Sequence, residues 1–139
     1  MKRQKILLNT MDQSRSNIFL IVGEKSGDLY GGQLIKELLK KKSNLKINFW
    51  GGYSMQQAGG NLLQHYKEYN FMGLDEVLKN LITIQKKMNL CKQHILETKP
   101  NIIILIDFPG FNMRIAKFSK KNGIKVIYFI PPKVWAWNP

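Results

Sequence analysis

Apolar runs alternate with amphipathic stretches along most of the chain. Ile18–Val22, Ile47–Trp50, Ile102–Ile106 and Val126–Ile130 are short and rich in β-branched or aromatic residues, and they read as strands. No polar residue interrupts Ile18–Val22 or Ile102–Ile106, the pattern of strands covered on both faces of a parallel sheet. Helical periodicities lie between the runs. Asp28–Lys42 places Leu29, Leu34, Ile35, Leu38 and Leu39 on one face and ends in Lys40, Lys41 and Lys42, cations suited to a helix C-terminus. Leu74, Val77, Leu78, Leu81, Ile84, Met88, Cys91 and Ile95 recur at spacings of three and four, which predicts one long helix or two abutting ones. A further helix spans Asn112–Lys121 and stops at Gly123. This alternation predicts an α/β fold built on a doubly wound parallel sheet. Residues 1–16 are polar, charged and without period, so they read as a flexible N-terminal extension, with Met11 as an alternative start, and the domain spans 17–139.

Composition narrows the class. With 44% hydrophobic residues in 139, the chain can bury a core of one domain. The single cysteine, Cys91, excludes an internal disulfide and suits a reducing cytoplasm. Only Ile6, Leu7 and Leu8 follow the basic start, too few for the apolar region of a signal peptide, and Ile102–Ile106 is far short of the roughly 20 residues that span a bilayer. A formal charge of +13 suits an anionic partner, either phosphorylated substrates or the acidic surface of a membrane. The same lysines, alongside many Ile and Asn residues, also fit AT-rich codon usage, and both readings stand. No nucleic-acid recognition element accompanies the charge, so no nucleic-acid partner is expected. His65 and His94 lack Cys, Asp or Glu at ligand spacing, so no metal and no cofactor is expected.

Candidate chemistry sits at the ends of the strands. Gly23-Glu24-Lys25-Ser26-Gly27-Asp28 joins a buried strand to a helix, at the carboxyl edge where open parallel sheets bind ligands. Glycines permit close backbone approach, and the helix N-terminus offers N–H groups to an anion or a sugar hydroxyl; in the alternative reading Ser26 or Asp28 merely caps the helix. Asp107 follows the strand Ile102–Ile106 and precedes Phe108-Pro109-Gly110-Phe111-Asn112. Beside Phe108 and Phe111 its carboxylate is placed for partial desolvation, the setting of a general base, with a plain turn carboxylate as the alternative. After Pro131-Pro132, Trp135 and Trp137 can wall a pocket or pack against another part of the protein. Phe71, Met72, Val77, Leu78, Leu81 and Ile84 form an apolar stripe flanked by Lys79, Lys86, Lys87 and Lys92, suited either to core packing or to an acyl and membrane contact.

Four stretches in order carry a resemblance: Ile21-Val22-Gly23-Glu24-Lys25-Ser26-Gly27-Asp28, Met72-Gly73-Leu74-Asp75-Glu76-Val77-Leu78, Ile106-Asp107-Phe108-Pro109-Gly110-Phe111-Asn112 and Val134-Trp135-Ala136-Trp137. Together with Gly51-Gly52-Tyr53-Ser54-Met55, they make residues 18 to 137 resemble the lipid-A-disaccharide synthase family, bacterial glycosyltransferases of lipid A biosynthesis. The resemblance implies the Rossmann-like N-terminal half of a metal-independent GT-B glycosyltransferase, with the UDP-sugar-binding C-terminal domain expected to be absent from this chain. It implies inverting transfer from UDP-2,3-diacylglucosamine to 2,3-diacylglucosamine 1-phosphate, at the cytoplasmic face of the inner membrane. Asp107 would be the catalytic base. Glu24, Ser26, Gly27, Asp28, Asn112, Trp135 and Trp137 would bind substrate. The Phe71–Ile84 stripe would contact acyl chains or an anionic lipid surface. An uncovered interdomain face would favour pairing into a homo-oligomer. Two departures are visible: Gly110 stands where many family members carry a second Asp, and Pro131 and Lys133 stand where Ser is usual.

Overall fold

The computed structural model describes residues 17–70 and 80–130. The flanking extension, the segment carrying Phe71, Met72, Val77 and Leu78, and the segment carrying Trp135 and Trp137 lie outside the described residues.

Five parallel strands form one sheet in the order β3-β2-β1-β4-β5. They are β1 (Asn17–Ile21), β2 (Lys46–Gly51), β3 (Asn61–His65), β4 (Ile102–Ile106) and β5 (Lys125–Phe129). The helices between them are α1 (Lys25–Lys41), α2 (Tyr53–Gln57), α3 (Leu81–Thr98) and α4 (Pro109–Lys121), with a 3₁₀ turn at Tyr66–Glu68. Strands β1 and β4 lie side by side at the centre, Ile18 opposite Ile102 and Ile21 opposite Leu105. Their side chains alternate between the faces. Ile18, Leu20, Val22, Ile102, Ile104 and Ile106 pack with Leu34, Ile35 and Leu38 of α1, whereas Phe19, Ile21, Ile103 and Leu105 pack with α3 and α4. The uninterrupted apolar runs follow from this two-sided burial, and the sheet is doubly wound as the periodicities predict.

The structure differs from the pattern reading at three places. Leu29 is 52% exposed rather than part of the buried face of α1, because the helix begins at Lys25 and turns Leu29 to solvent. Two short elements, α2 and β3, carry too few apolar residues to give a period; β3 holds only Leu62 and Leu63 and sits at the sheet edge. In α3 the buried positions are Met88, Cys91 and Ile95, while Leu81 is 57% exposed, so the apolar stripe leaves the core toward its N-terminal end. The flanking lysines are not all turned away from the protein. Lys87 reaches Gln64 at 2.9 Å and Glu68 at 3.7 Å, and Lys92 lies over the Phe118 ring.

An aromatic cluster joins the second face. Trp50 is fully buried, 4.8 Å from Tyr69 and 6.0 Å from Phe111 between ring centroids. Its indole N–H donates to His94 Nδ1 at 3.0 Å, which requires that nitrogen to be unprotonated. Burial of His94 lowers its pKa from the usual 6.5, against a smaller opposing pull from Glu97. The unfolded chain therefore binds a proton more readily than the folded one. The stabilisation is complete above pH 6.5 and is lost as the pH falls through the lower folded value. Urea unfolding midpoints should accordingly drop between about pH 7 and pH 5, and His94→Gln should flatten that slope; equal slopes in the two proteins would place the pH dependence elsewhere.

Candidate active site

The strand order reverses direction of growth between β1 and β4, and at such a switch point the loops leaving the two carboxyl ends diverge and open a crevice. Neighbouring strands sit about 4.8 Å apart, so the loop Val22–Glu24 after β1, with the first turn of α1 that follows it, and the loop Asp107–Phe108 after β4 flank one site.

The Asp107 loop is held in a demanding backbone conformation. Asp107 and Phe108 both have positive φ, 51° and 55°, a region that non-glycine residues enter at a cost of about 1–3 kcal/mol each. Three hydrogen bonds hold the corner in place. The Asp107 N–H donates to the Phe129 carbonyl at 2.7 Å, and the Asp107 carbonyl accepts from Asn112 Nδ2 and from the Tyr128 hydroxyl, each at 2.8 Å. Burial, then the charge of Asp107, pushes the Tyr128 phenol above its ordinary pKa and keeps it a donor. The turn presents the half-buried Asp107 side chain at the carboxyl edge. It also swings the Phe108 ring against Phe111, with centroids 5.2 Å apart, and over Gly23, where any side chain would collide with it.

The β1 loop is fastened from the opposite side. The Tyr69 hydroxyl donates to the Val22 carbonyl and Asn70 Nδ2 donates to the Gly23 carbonyl. Burial pushes the Tyr69 pKa well above its ordinary value, so this donor too keeps its proton. Ser26 is exposed and Glu24 half-buried at the start of α1, with the Ser26 hydroxyl donating to Glu24 Oε1 at 2.9 Å. Gly27 is buried against Val22.

Two residues expected to bind substrate are turned inward and bonded to backbone groups. Asp28 is 4% exposed, and its carboxylate accepts the N–H groups of Gly52 at 2.9 Å, Ser54 at 3.0 Å and Met55 at 3.1 Å. It caps α2, the neighbouring helix, rather than its own. Gly52 is required there because a side chain would meet the Asp28 carboxylate and the Tyr66 ring at 2.6–2.7 Å. Asn112 is fully buried and ties the Asp107 carbonyl, with a longer reach of 3.5 Å to Ile21 O. Among the described residues its Oδ1 has no hydrogen-bond partner, a polar burden carried beside the Asp107 corner.

An apolar cleft adjoins the corner. Tyr69, Ile84, Met88, Phe108, Phe111 and Arg114 line about 280 Å³ between α3 and α4. Ile84 was legible as an apolar contact. Met88 was legible in the same helix periodicity; Tyr69 and Arg114 were not, nor were the fasteners Asn70 and Tyr128, because each acts across a long stretch of sequence. The Cys91 thiol is buried in the core, and burial raises its pKa well above the ordinary value. Among the described residues, no three His, Cys, Asp or Glu side chains gather as a metal site would, and no helix is long and apolar enough to cross a membrane.

A doubly wound parallel sheet with an acid-bearing corner at its switch point defines a Rossmann-like domain. The family model described as Lipid-A-disaccharide synthetase matches residues 18–139. Lipid-A-disaccharide synthase 1 of Legionella pneumophila (strain Paris) is 40% identical over 124 residues, 88% of this chain and 32% of that protein. Lipid-A-disaccharide synthase of Coxiella burnetii (strain Dugway 5J108-111) is 39% identical over 125 residues, 90% of this chain and 33% of its own length. The Geobacter sulfurreducens lipid-A-disaccharide synthase is 36% identical over 127 residues, 91% of this chain and 33% of its own length. The chain belongs to the lipid-A-disaccharide synthase family, and it spans about a third of the length of the curated relatives it matches.

Asp28→Ala should destabilise the domain by about 3 kcal/mol in chemical denaturation, since three amides lose a charged acceptor. A loss below about 1 kcal/mol would show that water replaces the carboxylate and that the cap is dispensable. Gly110 is exposed, with open space around it at the start of α4. Gly110→Asp should therefore raise stability by about 0.5–1 kcal/mol through chain entropy and the helix dipole; a fall in melting temperature would contradict this.

Proposed function

We propose that this chain forms the acceptor side of a lipid-A-disaccharide synthase. In the reaction, the 6-hydroxyl of 2,3-diacylglucosamine 1-phosphate attacks the anomeric carbon of UDP-2,3-diacylglucosamine, UDP leaves, and the configuration inverts to a β-1,6 link. Asp107 Oδ accepts the hydroxyl proton as the C–O bond forms. The observation that carries this reading is the corner at Asp107 and Phe108, two consecutive left-handed residues held by Phe129, Asn112 and Tyr128 at the switch point of the sheet. Backbone strain maintained by surrounding bonds is characteristic of sites where a side chain must be aimed.

In this reading the half-buried Glu24 and the exposed Ser26, at the start of α1, hydrogen-bond sugar hydroxyls. The first-turn N–H groups of α1 add donors for an anion. Asp28, Gly27 and Asn112 support these groups from beneath. Trp135 and Trp137 complete the acceptor wall in this reading, and Phe71, Met72, Val77 and Leu78 extend the apolar contact. The exposed Leu81 and Ile82, with lysines nearby, suit a peripheral position on an anionic membrane at the cytoplasmic face. A second domain, the partner that binds UDP, would stabilise the diphosphate leaving group.

The test is turnover of donor and acceptor lipids in detergent by this chain mixed with the C-terminal half of a family relative. Product should form only in the mixture. Asp107→Asn should reduce turnover about 10²–10⁴-fold with the fold retained by circular dichroism. Halves that are folded and bind each other yet give no disaccharide would remove the catalytic reading and leave a lipid-binding module.

A further inference from the structure

The cleft between α3 and α4 has no part in the proton transfer described above. Its walls are Tyr69, Ile84, Met88, Phe108 and Phe111, all aromatic or apolar in the faces they offer, and its volume of about 280 Å³ admits one alkyl chain. One cationic group stands on its lining, Arg114, which is exposed and makes no salt bridge or side-chain hydrogen bond among the described residues. Its planar guanidinium fork can pair two oxygens of a phosphate at once, while its stem lies along the apolar lining. The surface beyond is apolar as well, with Ile82 at 75% and Met113 at 52% exposed. Phe108, which forms one wall, is positioned by the same strained corner that presents Asp107. The acid and one wall of the slot are thus consecutive residues of one turn.

We infer that this cleft seats a single acyl chain of a phosphorylated amphiphile and that Arg114 selects the phosphate over a neutral headgroup. The assignment rests on the acylated-sugar reading for the identity of the lipid, but its chemistry is readable without turnover. Arg114 is then a specificity residue on α4, and the chain length accepted is set by the slot between Ile84 and Phe111.

The experiment uses the chain with its methionine methyl groups labelled with carbon-13, following Met88, whose side chain is 2% exposed and lines the slot. Octyl, decyl and dodecyl phosphate are titrated below their micelle concentrations, with dodecyl maltoside and inorganic phosphate as separate arms. The Met88 signal should shift saturably with the alkyl phosphates, and affinity should rise about threefold to fourfold per methylene until the slot is full. Arg114→Gln should weaken dodecyl phosphate about tenfold and leave dodecyl maltoside unchanged. Ile84→Trp, which fills the slot, should weaken both, and Gly110→Leu, at a position with open space around it, provides a second block that spares the core. The cleft assignment is overturned if inorganic phosphate binds as tightly as dodecyl phosphate. It is equally overturned if folded Gly110→Leu binds like the parent, or if Arg114→Gln affects the neutral and charged amphiphiles alike. Alkyl phosphate binding that survives alongside a failed transfer assay overturns the transferase reading alone; transfer activity without alkyl phosphate binding overturns the cleft alone.

Discussion

Everything at the carboxyl edge depends on the pairing of β1 with β4, two strands buried on both faces. Ile18–Ile21 and Ile102–Ile106 have no solvent-facing side, so a slip by one residue would exchange the α1 face with the α3 and α4 face throughout the centre of the sheet. That cost locks the register. It also determines where the chain leaves the sheet: after Val22 on one strand and after Ile106 on the next. The two loops that carry Glu24 and Asp107 are neighbours for this reason, although more than eighty residues separate them in sequence.

The edge itself is built from polar bonds rather than from packing. Tyr69 and Asn70 hold the carbonyls that end β1; Tyr128, Asn112 and Phe129 hold Asp107; and Asp28 reaches across to fasten the turn after β2. Each is a donor or acceptor matched to a backbone group that the strand ladder leaves unpaired, and burial raises the cost of losing any of them. The two tyrosines share a property: burial raises their phenol pKa, so both remain donors over the working pH range. An edge assembled this way is held in place by hydrogen bonds of the fold itself.

The aromatic layer under the site connects these clamps to the second core. Trp50, Tyr69, Phe108 and Phe111 form a continuous set of ring contacts from the centre of the sheet to the cleft. Phe108 belongs to both, as the left-handed residue after Asp107 and as a wall of the apolar slot. The placement of the acid and one wall of the apolar cleft are thus consequences of one backbone turn.

Period and composition by themselves determined the fold class, four of the strands, the faces of the main helices and the loops in which chemistry was to be sought, because two-sided burial and helical spacing are written locally. The ordered stretches from Gly23 to Asn112 also pointed to the family. Tertiary structure decided which of those residues face solvent. Asp28 and Asn112 stand in the first turns of α1 and α4, beside strand-end loops whose residue types suggest ligand contact, yet each turns inward to satisfy backbone groups brought near by the sheet, a demand that no local pattern records. The edge strand β3, the clamps at Tyr69, Asn70 and Tyr128, and the slot with Arg114 on its lining were likewise invisible in sequence. Each arises from pairing between distant segments, where backbone polarity and side-chain volume meet only after the chain has folded.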